Sequence, residues 1–206
     1  MSGPPRSTPA YDRSMVSDGS ADAELRTMLD QFAVGRLQAA YGDAVSRQAW
    51  DEVAAMFAPH CAVHLDLRDA NTRTITGGEA MAAFIAASIE RFEFFEFALL
   101  NSVVEIAPSG DEATGRLYMW ELRQDRETDR WSNAYGLYRD RYQRRDGHWL
   151  FAERCYSSLA RTDPDGDGML VFPIPGDWRP NVTPEGINVG RARARPGRRP
   201  AGDRGR

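Results

Sequence analysis

The chain has 206 residues, 42% hydrophobic and 27% charged, enough for one folded domain with a real core. Its formal net charge of −4 gives the whole molecule no general attraction for nucleic acid. No apolar run approaches the ~18–20 residues that span a bilayer, and because all 26 basic residues are arginine, Schiff-base chemistry on a lysine is excluded.

Residues 1–21 are rich in Pro, Ser and Gly, lack the apolar stretch of a signal peptide, and predict a disordered tail on a cytoplasmic chain. From Ala23 to Arg47, Leu25, Leu29, Phe32, Leu37, Tyr41 and Ala44 recur near a 3.6-residue period and predict a helix with one buried face, capped by Ser20 or Asp22. "AWDEVAAMFAP" predicts a second, short helix ended by Pro59. Cys61 to Arg68 alternates as a strand, "TRTIT" follows as a shorter one, and "GGEAMAAFIAASIERF" predicts a third helix. Four extended segments then run over 95–107, 112–125, 130–145 and 148–161, separated by "PSGDE", "DRETD" and "RRDGH". Residues 176–206, rich in Pro, Gly and Arg, predict a second disordered tail whose arginines offer at most a weak contact for nucleic acid or an acidic partner. The order predicts an α+β domain over 22–175: a cone-shaped, curved antiparallel sheet closed by three N-terminal helices around a pocket. Cys61 and Cys155 are too few for a disulfide framework and read as free thiols.

Four segments resemble the SnoaL-like branch of the nuclear-transport-factor-2-like superfamily, which includes scytalone dehydratase, ketosteroid isomerases and polyketide cyclases. They are "AAYGDAVSRQAWDEVAAMFAPHCAVHLD", "GGEAMAAFI", "LLNSVVEIAPSGDEATGRLY" and "YRDRYQRRDGHWLFAER". The resemblance implies a cofactor-free, metal-free enzyme on a small hydrophobic cyclic metabolite (polyketide-, aryl- or steroid-like), acting as a dehydratase, isomerase or cyclase, and assembled as a homodimer. The same fold also hosts non-catalytic binding modules and epoxide hydrolases, so both remain alternatives.

Residue by residue, the chain departs from the dehydratase pattern. The Tyr-Asp pair ending the first helix corresponds to Val45 and Ser46, where only Ser46 can hydrogen-bond a ligand. One family histidine corresponds to Phe97, which moves no proton. A second corresponds to Arg123, a permanent cation suited to clamping an anion or oxyanion. The family asparagine corresponds to Tyr138, a hydrogen-bond donor. His64 and Asp66 flank Leu65, where ketosteroid isomerases place their base, and form a candidate proton-transfer pair unless Leu65 is the inward residue. Arg123, Asp125 and Asp140 resemble the Asp-Arg-Asp array of epoxide hydrolases. Tyr41, Trp120, Tyr135 and Tyr138, with Phe94 or Phe95 and Phe97, read as an aromatic pocket wall. Glu96 replaces the missing base only if a bulge turns it inward. "DPDGDG", Asp163 to Gly168, reads as a turn and not a calcium loop, since position twelve is Ile174.

Overall fold

The computed structural model describes residues 18–69, 72–165 and 168–174. The predicted C-terminal tail and its arginines lie outside these residues, as does most of the N-terminal tail. Three helices, α1 (Asp18–Ser46), α2 (Trp50–Ala55) and α3 (Gly78–Ile89), accompany seven strands. The strands are β1 (Phe57–Asp66), β2 (Arg73–Thr76), β3 (Phe92–Ile106), β4 (Glu112–Asp125), β5 (Trp131–Arg145), β6 (His148–Thr162) and β7 (Met169–Val171). They form one curved sheet ordered β2-β1-β6-β5-β4-β3, with β7 on β6. Every pairing is antiparallel except β1 on β6, so the sheet is mixed and not purely antiparallel as expected. No described helix is long and apolar enough to cross a membrane.

The long β3–β6 meander follows from its turns. Asp146 and Gly147 both adopt positive φ (49° and 80°), the conformation a tight hairpin between right-twisting strands requires. Irregular register at Phe92/Phe94 and Leu99/Asn101 on β3, and at Tyr135/Gly136 and Arg141/Tyr142 between β5 and β6, adds bend to the sheet. The core lies between the sheet's inner face and the helices: Tyr41, Val45 and Val53 pack with Phe57, Leu117 and Phe151. Each such side chain, taken fully from water, contributes about 1.5–3 kcal/mol.

Several boundaries differ from the sequence reading; α2 ends at Ala55, so Pro59 lies inside β1 and does not end the helix. Helix α1 begins at Asp18, so Ser20 and Asp22 lie inside it and cap nothing. Of its predicted buried face, Tyr41 and Ala44 are buried and Leu37 is half-buried, while Leu25, Leu29 and Phe32 are 55–66% exposed. The cause is position: Asp30 pairs with Arg144, and Gln31 Nε2 donates to Val104 O at 3.2 Å, so the helix first meets the sheet there. Strand β1 starts at Phe57, because Phe57 already pairs with Phe151 of β6. Strand β3 starts at Phe92, and the bulge at Phe92–Phe94 lets Phe92, Phe95 and Phe97 all reach the inner side.

Candidate functional site

Between α1, α3 and the inner face of the sheet lies a cavity of about 270 Å³. Its walls are mainly apolar: Tyr41 of α1, Ile85 of α3, Leu65 of β1, Phe92 and Phe97 of β3, and Tyr156 of β6. Rings meet edge to face or tilted, with Tyr41 and Phe97 centroids 5.7 Å apart and Tyr138 and Tyr156 centroids 5.0 Å apart. The Tyr41 and Tyr138 rings meet edge to face with centroids 6.5 Å apart, and burial pushes both phenols up, so they stay protonated donors.

Two charged groups of β4 enter this wall. Glu121 and Arg123 are two residues apart on one strand and therefore share a face. Glu121 Oε2 lies 3.5 Å from Arg123 Nη1, and each side chain keeps only about a fifth of its exposure. Loss of water raises the Glu121 carboxyl above its ordinary value, with Arg123 opposing the rise. The same loss of water lowers Arg123, countered by Glu121. Arg123 Nη2 donates to Asn133 O at 3.3 Å, while its buried Nε has no hydrogen-bond partner. Sequence reading missed Glu121, although strand alternation from Arg123 points to it.

Beneath the cavity, Arg154 and Asp140 form a fully buried pair: Nε to Oδ1 and Nη2 to Oδ2, both 2.9 Å. The Arg154 guanidinium lies 4.0–4.3 Å from the centroids of Tyr41, Tyr138 and Phe151. Tyr142 donates to Asp140, Gln38 donates to Tyr142, and Ser102 donates to Gln38, so the acid ends a chain reaching the far side of the core. This network sets two cavity tyrosines against a rigid cation. Arg154 was not singled out by sequence, because its partner becomes visible only in the β5–β6 register.

Of the residues singled out by sequence, the structure gathers Tyr41, Phe95, Phe97, Arg123 and Tyr138 around the cavity. The others fall elsewhere. Leu65 is the inward residue of β1, and His64 and Asp66 lie on the opposite face. His64 Nδ1 is 3.1 Å from Thr74 Oγ1 and Nε2 is 3.8 Å from Glu153 Oε1. Asp66 pairs with Arg68 at 3.1 Å. Glu96 is exposed, because Phe97 takes the inward position. Ser46 Oγ accepts from Phe97 N at 3.0 Å, clasping α1 to β3. Trp120 stacks on Tyr135 on the outer face and donates to Asn133 Oδ1 at 2.8 Å. Asp140 is held by Arg154, and Asp125 accepts from the Thr128 hydroxyl at 3.0 Å, so Arg123, Asp125 and Asp140 do not assemble as an epoxide-hydrolase array. Among the described residues, ligand atoms of His64, Glu153 and Cys155 come within 4.8 Å of one another, the one grouping there with the donors for a metal, and it lies on the opposite sheet face from the cavity. In the "DPDGDG" turn, Asp163 Oδ1 accepts from Asp165 N at 3.0 Å, and residues 166 and 167 lie outside the described residues.

Solved structures with this architecture are numerous. A putative scytalone dehydratase from Novosphingobium aromaticivorans superposes with a TM-score of 0.61 at 21% identity, covering 68% of this chain and 91% of that one. A hexachlorocyclohexane dehydrochlorinase, LinA-type3, from Novosphingobium barchaimii gives 0.59 at 19% identity, covering 74% and 99%. A nuclear-transport-factor-2-like protein with a cystatin-like fold from Novosphingobium aromaticivorans gives 0.59 at 18% identity, covering 71% and 92%. At these identities the likeness establishes the fold alone. No curated protein sequence matches the chain. The model of the SnoaL-like domain does match, over residues 26–155, which run from the exposed first half of α1 through Cys155 on β6 and take in every cavity element but the end of β6. The chain is thus a member of the SnoaL-like family.

Proposed function

We propose that the cavity binds a small hydrophobic cyclic metabolite in the cytoplasm and acts on it by acid–base chemistry, as a dehydratase, isomerase or cyclase. The observation that carries this reading is Glu121, a carboxyl held in an apolar, aromatic cavity beside a guanidinium. A carboxyl raised by loss of water is a stronger base once ionised, and Glu121 lines the cavity that would hold a ring. Glu121 takes a proton from the carbon next to a carbonyl. Negative charge then collects on the carbonyl oxygen, where Arg123 and Tyr138 stabilise it. In dehydration the carbonyl re-forms as the β-hydroxyl leaves, carrying the Glu121 proton away as water. In isomerisation the same proton returns to another carbon. The cavity volume is near the lower end of the ~300–1,000 Å³ usual for ligand sites, which favours one or two rings over four.

Turnover of a panel of small cyclic hydroxy-ketones, with mass spectrometry of any co-purifying ligand, tests this reading. Arg123→Ala is expected to lower kcat/KM by about 10²–10³, the effect of losing an oxyanion donor. An unchanged kcat/KM removes Arg123 from the chemistry and leaves a binding module as the better reading.

A second copy of the chain is the proposed partner. Phe94, Trp131 and Tyr135 on the outer sheet face are 37–49% exposed, and Phe94 and Trp131 rings lie 5.5 Å apart. Clustered exposed aromatics of this kind favour association.

A further inference from the structure

We propose that the ligand carries an anionic handle, a carboxylate or a phosphate, seated in a polar cleft that adjoins the cavity. This rests on the cavity reading above and adds the charge of the substrate. The cleft, about 500 Å³, is lined by Arg91, Arg123, Arg130 and Arg161 together with Asp125 and Asp163. Arg123 and Arg161 line both the cleft and the cavity, so a ring in one leads directly to a substituent in the other.

The charges in this cleft are poorly balanced. The guanidiniums of Arg91 and Arg123 lie 4.7 and 5.3 Å from the centroid of the same Phe92 ring, which puts them within about 10 Å, near one Debye length, of each other. Burial is the main cause that lowers the Arg123 pKa, and repulsion from Arg91 and Arg161 adds to it. Arg91 meets Asp125 only at 3.7 Å, and Arg123 shares Glu121 at 3.5 Å. Arg161 makes no ion pair among the described residues; its Nη1 donates to Leu67 O at 3.2 Å. Arg130 is anchored through Nη2 to Asp163 O at 3.0 Å, which fixes it at the rim. Cations brought together from β4, β6 and the entries to β3 and β5 repel one another, and a bound anion relieves that repulsion. Arginine's planar fork suits carboxylate and phosphate alike.

Binding of 2-naphthol, 2-naphthoate and 2-naphthyl phosphate to the full chain at low salt tests the proposal. At least one anion is expected to bind tenfold or more tightly than 2-naphthol, with the advantage shrinking as salt rises. The ratio of naphthoate to naphthyl phosphate affinity then identifies which handle the cleft takes. Arg91→Gln, at a residue that lines the cleft and not the cavity, is expected to cut the advantage while still binding 2-naphthol as the wild type does. Equal affinity for all three probes overturns the handle and leaves the cavity reading intact. Binding of none overturns both. Inorganic phosphate binding as tightly as naphthyl phosphate also overturns the proposal, because the cleft is then an anion site independent of the cavity.

Discussion

Asp140 grips Arg154 through two 2.9 Å hydrogen bonds where neither side chain reaches solvent. The pair matters less for its attraction than for the cost of breaking it, since a lone charge left there has no water to turn to. Asp140→Ala is therefore expected to lower unfolding free energy by about 3–5 kcal/mol, read as a fall in the urea midpoint. A loss below about 1 kcal/mol would show that the pair is not sealed from water.

Gly136 lies under Tyr156: a Cβ there would come within 2.2 Å of the ring's Cε2. Tyr156 is a cavity residue, so it has to move away from β5 and into the cavity. Gly136→Ala is expected to cost about 1–3 kcal/mol of stability and to weaken binding of a bicyclic phenol such as 2-naphthol at least tenfold. Unchanged affinity by fluorescence titration would show that Tyr156 does not bound the ligand volume.

Much of this architecture could be read from periodicity and turn chemistry, because alternating strands and Asp-Gly turns are local signals. The site was read less well, and most misses share one cause. Residues an odd number apart on a regular strand face opposite ways. Arg123 inward therefore sends Trp120 outward and brings Glu121 in; Tyr138 inward sends Tyr135 outward; Leu65 inward turns His64 and Asp66 away. Asp140 shares a face with Tyr138 but lies below the cavity floor, against Arg154 of the neighbouring strand. That depends on register between distant segments, which no local pattern carries. The exposed apolar turns of α1 were misread because periodicity shows that a face is apolar, not how far the sheet extends beneath it.

If the outer sheet face joins two copies, a charge placed in it should separate them. Trp131→Glu and Tyr135→Glu change half-exposed side chains and should leave the fold intact by circular dichroism. Light scattering is expected to give the dimer mass for the wild type and half of it for either variant at micromolar concentration. A wild-type monomer, or variants that keep the dimer mass, would exclude this face as the interface.

The central claim is that Glu121 is the base. Because loss of water raises its pKa, kcat/KM should climb with pH along a limb centred above ~4.3, the ordinary glutamate value. As the pH passes that centre the carboxyl gives up its proton and becomes able to take one from substrate. The most direct test is the pH profile of kcat/KM for wild type and Glu121→Gln, with folding checked by thermal melting. The account predicts a loss of about 10²–10⁴ and disappearance of the acid limb in the variant. A variant that keeps both its rate and its acid limb would contradict it.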